Sequence, residues 1–211
     1  MNLTEKILSD HLVNGRLKAG EEISIRVDQT ITQDALGMLA YLAFEQMGKP
    51  RVQTELSVSY LDHNTLYVDY KNPDDHAYLT SVARKYGIIL SRAGNGICHA
   101  VHLARFAKPG KIVVGTDSHT LSAGAAAMLG IGAGGIDVAA VMAGECLTLK
   151  MPRVIRILLR GTLQPGVNAK DAALWLVGNL SVKGGLGAVL EYAGDGVVSL
   201  TLPEGMTLAN K

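Results

Sequence analysis

Residues 111–120 read KIVVGTDSHT, a short apolar strand from Lys111 to Val114 that opens directly into the polar loop GTDSHT at 115–120. Pro109 and Gly110 punctuate the chain just before it. In an open α/β sheet, ligands collect outside the carboxyl ends of the strands, and Asp117, Ser118 and His119 fall at such an end. Whether a sheet of that kind exists depends on what flanks the strand.

Upstream, strands and helices alternate. Gly94, Asn95 and Gly96 form a loop into a helix that carries His99 and His102, and residues 88–90 suit a short buried strand before it. Asp74 can cap a helix that runs to Tyr86 and is closed by Gly87. Residues 55–60 read as a strand, followed by the turn-forming Asp62, His63 and Asn64 and by a short strand at 66–68. Ile23, Ile25 and Val27 alternate with Ser24 and Arg26 as in a half-buried strand. Residues 29–33 then lead into a helix over 34–47, which leaves Gln33 near a strand-to-helix junction. At the start, Leu3, Ile7, Leu8 and Leu12 recur at helical spacing, with Thr4 as a cap and Gly15 as the stop.

Downstream, the Ala-, Gly- and Met-rich stretch 121–142 predicts two tightly packed helices joined by a glycine turn at 130–135. Gly130, Gly132 and Gly135 fit G-x-G-x-x-G, but with no strand expected before them, helix packing is the better reading. After Pro152, residues 154–163 suit a strand, 165–168 a turn, and 169–180 a helix capped by Asn168. Segments 187–192 and 197–202 follow, and a helix begins over 204–210. The alternation predicts a three-layer α/β/α domain with a mixed, largely parallel sheet over 1–151, and the beginning of a second α/β domain, incomplete, over 152–211.

With 48% hydrophobic and 18% charged residues among 211, the chain can bury a sizeable core. No apolar run approaches the roughly 20 residues of a membrane span, and the N-terminus lacks the pattern of a secretory signal. Two cysteines, Cys98 and Cys146, suit a reducing compartment, so a cytoplasmic location is the expectation. A net charge of +1 without a basic stripe argues against nucleic acid as partner and for a small ligand.

Asp62, His63, His99, Asp117 and His119, with the Ser118 hydroxyl, provide carboxylates and imidazoles at loops or helix starts. A carboxylate beside an imidazole raises its proton affinity and orients it, so that it can protonate a departing hydroxyl. Each Asp or His taken alone could equally be a cap or a satisfied polar residue. His99 and His102, three apart on one helical face, lack the further ligands of a zinc site. Ser118 beside His119 lacks the GxSxG elbow of a hydrolase nucleophile. The expectation is therefore acid–base residues and no protein-held metal.

Five segments in order, QDALGMLA from Gln33, the Asp62–His63 pair, GICHAVHLARFAKPG from Gly96, GTDSHT from Gly115 and GGIDVAAVMAG from Gly134, resemble the aconitase family. EYAGDGVVSLTLPEGMTLAN, residues 191–210, is similar to the family's stretch entering its second domain. Gln33's surroundings and the GGID segment place the likeness with aconitases rather than the isopropylmalate isomerase branch. The resemblance implies a hydro-lyase that interconverts citrate and isocitrate through cis-aconitate, with a 4Fe-4S iron-sulfur cluster in the complete enzyme. By the same likeness, Asp62 with His63, Asp117 with His99, and His119 would protonate or hold the leaving hydroxyl. Gln33, Ser118 and Asn210 would bind substrate carboxylates or iron-bound water.

The family's cluster cysteines, substrate-binding arginines and serine base lie in segments beyond Lys211, so no cluster is expected on this chain alone. GTDSHT is followed by LSAGAAA where the family more often has a proline and a glycine-rich run. The expectation is an N-terminal part, inactive alone, whose partners are a tricarboxylate and the missing C-terminal region or a complementary chain. The alternatives are a noncatalytic tricarboxylate- or protein-binding module, or part of a related isopropylmalate or homoaconitate isomerase.

Overall fold

The computed structural model describes residues 1–181 and 183–210, so the expected limit of the second domain at Lys211 lies outside the described residues. Helix α1 (Leu3–His11) is capped by Asn2, whose side-chain oxygen accepts the Glu5 amide at 2.8 Å, while the Glu5 carboxylate accepts the Asn2 amide at 3.1 Å. The cap therefore sits before Thr4, and the helix stops at His11 instead of Gly15. Strands β1 (Leu12–Gly15) and β2 (Glu22–Ile25) follow as an antiparallel pair.

Strand β3 (Gln29–Gln33) leads to α2 (Gly37–Gln46), β4 (Leu56–Tyr60), α3 (Lys71–Tyr86), β5 (Ile89–Ser91), α4 (Cys98–Arg105) and β6 (Ile112–Gly115). A 3₁₀ helix, Ser118–Ala126, then precedes β7 (Leu129–Gly132) and α5 (Gly135–Met142). Strand β8 (Leu147–Lys150) pairs antiparallel with β2, closing a small three-stranded sheet. The remainder is β9 (Arg153–Leu158), α6 (Ala169–Leu180), β10 (Ala188–Ala193), α7 (Asp195–Val198) and α8 (Leu202–Ala209). Strands β9 and β10 are parallel and form a sheet of their own.

The main sheet has the order β5-β4-β3-β6-β7, every neighbouring pair parallel. Its crossovers run outward from β3 to β5 and then return to β6 on the other side of β3. The direction reverses between β3 and β6, which opens a crevice at their carboxyl ends. Parallel strands need both faces covered, and β6 shows it: Ile112 and Val114 join one buried cluster while Val113 joins another. The first cluster includes Leu8, Phe44, Leu79 and Met142 from α1, α2, α3 and α5; the second includes Cys98, Leu103 and Ala123 from α4 and the 3₁₀ helix. Helices on two faces of one sheet make the expected three-layer domain.

Several local expectations change. Residues 29–33 form the central strand rather than a lead-in: QTITQ is buried throughout, and polar side chains of it are satisfied by partners that the fold brings in. Thr30 Oγ1 lies 2.6 Å from Ser57 Oγ, and Thr32 bonds the Tyr41 hydroxyl. The stretch 121–142 contains a strand, β7, between its two helical pieces, because Leu129–Gly132 pairs with β6 and the bare backbone of Gly130 lets the 115–120 turn lie against it. Residues 66–68 form no strand; Leu66 and Val68 are exposed. Asp74 lies inside the first turn of α3, whose cap position is Tyr70. Residues 197–202 divide between the end of α7 and the start of α8.

Candidate active site

Each of the polar clusters singled out above lies at a carboxyl end of the main sheet. Gln33 closes β3, Asp62 and His63 follow β4, α4 follows β5, and Asp117 follows β6. The GTDSHT turn folds tightly enough that a Cβ on Gly115 would overlap the Thr120 hydroxyl, and one on Gly130 the Thr120 carbonyl oxygen. Thr120 in turn donates its hydroxyl to the Asp117 carbonyl at 2.7 Å.

Asp117 is the hub. Its side chain accepts the His119 amide at 2.5 Å and faces His119 Nδ1 at 3.0 Å and His99 Nε2 at 3.2 Å. Its second oxygen lies 3.9 Å from His63 Nε2. Burial pushes the Asp117 carboxyl up, but the His119 amide and imidazole, with His99, outweigh it and hold the group below the ordinary aspartate value. His99 moves the other way. Its burial depresses the imidazole more than Asp117 raises it, which holds the group below the ordinary histidine value.

Asp62 makes the second pair. One oxygen lies 2.9 Å from His63 Nδ1, and the other accepts the Cys98 amide at 2.5 Å, where negative charge meets the first turn of α4. One carboxylate thus orients an imidazole and anchors the helix that carries His99.

Ser118 is exposed at the mouth of the site. Gln33 is buried, and its side-chain oxygen already accepts the Ala35 and Leu36 amides at 2.6 and 3.1 Å. Asn210 caps the end of α8, which lies against the 3₁₀ helix with Ala209 facing Gly124. Asp62, His63, His99, Asp117 and His119 therefore converge, Ser118 and Gln33 border them, and Asn210 sits one packed element away.

Two supports were not read from the sequence as supports, where His102 entered only as a rejected zinc ligand. Asp34, 1% exposed, accepts the His63 and Asn64 amides at 2.9 Å each and faces His76 Nε2 at 2.8 Å, so it shapes the Asp62–His63 loop from below. An acid directly after a strand-end glutamine was the available signal, but it reads equally as a helix start. Beneath α4, His102 Nε2 donates to Gln29 Oε1 at 2.9 Å, and the Tyr60 hydroxyl donates to Nδ1 at 3.0 Å. The Gln29 amide is turned by its own bond to the Phe106 carbonyl at 3.1 Å, which fixes the tautomer of His102. His102 thus holds α4 against the sheet.

A cavity of about 630 Å³ opens at the opposite end of the sheet, lined among others by Asp28, Glu55, Lys111 and Cys146. Several of its charges pair: Lys111 lies 2.9 Å from Asp28 and 2.7 Å from Glu55, and Lys108 with Lys111 draws the Glu55 carboxyl down to about 2. Asp28, Glu55, Lys108 and Lys111 form an ion network at that end, away from the imidazoles of the site.

The donor set does not fit a 4Fe-4S cluster. Cluster ligands are thiolates, whereas Cys98 is fully buried and its thiol is pushed far up, by burial first and then by Asp62. Cys146 lies in the cavity at the other end.

The fold and the site define an α/β protein with carboxylates and imidazoles gathered at the switch point of a parallel sheet. The model of the aconitase family (aconitate hydratase) matches residues 5–211, and the chain belongs to that family. It is 37% identical over its whole length to the mitochondrial aconitate hydratase of Aspergillus fumigatus and to that of Schizosaccharomyces pombe. It is 35% identical over 98% of its length to the mitochondrial aconitate hydratase of Saccharomyces cerevisiae. The chain spans 28% of the length of each of these relatives and corresponds to their N-terminal region. The expectation of a cytoplasmic location is overturned, since these relatives are named as mitochondrial enzymes.

Proposed function

We propose that this chain is the N-terminal part of an aconitate hydratase-like hydro-lyase that interconverts citrate and isocitrate through cis-aconitate. The observation that carries the reading is the convergence of His63, His99 and His119 on the Asp117 carboxylate, with Asp62 holding His63 from behind. In the dehydration direction a C–O bond breaks, a proton joins the departing hydroxyl to give water, and loss of a proton from the adjacent carbon leaves the double bond. The imidazoles supply the first proton: a histidine held by a carboxylate is oriented to deliver it to the departing oxygen. Removal of the carbon proton is assigned to chain beyond this one.

Gln33 would orient a substrate carboxylate through its amide nitrogen, Ser118 through its exposed hydroxyl, and Asn210 through its amide. The first 151 residues act as one domain in this reading, and 152–211 begin a second. The partners are the tricarboxylate and the rest of the enzyme, which supplies the iron-sulfur cluster, and the compartment is the one in the relatives' names.

The alternative, a noncatalytic tricarboxylate-binding module, sits poorly with the charges. Among the described residues no lysine or arginine pairs with Asp34, Asp62 or Asp117, so a trianion would meet carboxylates and imidazoles with no lysine or arginine to hold it. Mixing the chain with the remaining part of a relative's enzyme, cluster loaded, should restore conversion of citrate to cis-aconitate that neither part shows alone. His99→Gln in the mixture should lower kcat by roughly 10²- to 10⁴-fold. Full activity from the reconstituted His99→Gln mixture would sink the assignment.

A further inference from the structure

The same cluster has a second chemical property that is independent of the hydro-lyase reading. His99 Nε2 and His119 Nδ1 lie 3.2 and 3.0 Å from one oxygen of Asp117, and donor atoms of all three residues fall within 4.8 Å of one another. Around an ion with ligand distances of about 2.0–2.1 Å, neighbouring donors are separated by roughly 2.8–3.4 Å at octahedral to tetrahedral angles. Two of the three edges already match. The third, between the imidazoles, closes by rotation of His119, whose side chain is 58% exposed and lies open to solvent.

Charge and surroundings point the same way. Among the described residues the ion-pair partners of Asp34, Asp62 and Asp117 are imidazoles, and none is a lysine or arginine. An incoming cation meets carboxylates that no lysine or arginine has neutralised. His63 Nε2, 3.9 Å from the free oxygen of Asp117, stands where it can steady that carboxylate or supply a fourth donor.

We infer that His99, Asp117 and His119 form a binding site for a single divalent transition-metal ion of the zinc and ferrous class, held through two imidazoles and one carboxylate. Such a donor set selects ions of this class over magnesium and calcium, which take oxygen ligands. The neighbouring trio Asp62, His63 and Cys98 offers a thiol in place of an imidazole, and the two sites differ in a visible way, since thiolate ligation gives cobalt an intense near-ultraviolet charge-transfer band. An ion at Asp117 would tie up the imidazoles that deliver protons, so metal loading and acid catalysis exclude one another.

The test is titration of the 211-residue chain, carrying Cys146→Ser to remove the exposed thiol, with cobalt(II) followed by displacement with zinc(II). One equivalent should bind, with visible ligand-field bands and no thiolate band, and zinc should bleach the colour. His119→Ala, at a half-exposed position that spares the core, should weaken cobalt affinity at least about tenfold, as should Asp117→Asn. Circular dichroism confirms that each variant is folded, and His119→Ala decides if Asp117→Asn disturbs the loop. Absence of saturable binding, unchanged affinity in His119→Ala, or a strong thiolate band would overturn the inference.

Discussion

His102 shows how a residue that touches no substrate can govern the site. It is fully buried, and burial first, with His99 second, draws its imidazole down to about 4. In the unfolded chain the value returns to about 6.5. The folded state therefore binds fewer protons, and the stabilisation from a neutral His102 is complete above about pH 6.5 and is lost as the pH falls toward 4. A shift of that size corresponds to roughly 3 kcal/mol across the window. His99 is depressed in the same sense and adds to the slope. Urea unfolding at a series of pH values between about 7.5 and 4 should show the decline, and His102→Gln should flatten most of it. An unchanged slope in the variant would place the titration elsewhere.

At the scale of elements, the decisive contact is the packing of the Gly115–Thr120 turn against β7. Because Gly130 leaves room for the Thr120 carbonyl, Gly130→Ala must push the turn away from the strand. A loss of about 1–3 kcal/mol follows from such overpacking, readable as a drop of roughly 2–12 °C in Tm for a chain of this size. The His119 imidazole resonances should shift with it, and an unchanged Tm and spectrum would refute the packing argument. The turn itself was legible because apolar Ile112–Val114 and a polar loop adjoin without ambiguity. So were Asp62 and His63 after a strand, and the Asn168 cap of α6. Strand β3 was not, since its buried Gln29, Thr30, Thr32 and Gln33 find partners only after the fold has formed. Nor was β7, whose LGIG pairs with β6 although glycine disfavours strands. Asp34 stayed hidden for the same reason as β3: its amide partners lie about thirty residues away in sequence.

At the scale of the whole molecule, the segment after Met151 is fastened at two places. Helix α8 lies on the 3₁₀ helix, and the Glu191 carboxylate of β10 accepts both the amide and the hydroxyl of Thr4 in α1, each at 2.9 Å. Thr4→Val keeps the shape and removes the hydroxyl bond, which should cost about 1 kcal/mol or somewhat more, since the acceptor is charged. Hydrogen exchange should then quicken in β10 and at the start of α1 while the main sheet keeps its protection. Equal acceleration everywhere would mean that the bond does not act as a local fastening. The clasp between Thr4 and Glu191 also sets an order of events in time. A ribosome adds about 5–20 residues per second, so the first helix is made and then waits on the order of ten to forty seconds for the carboxylate that secures it. Throughout that interval this helix is held only by what the main domain has already built.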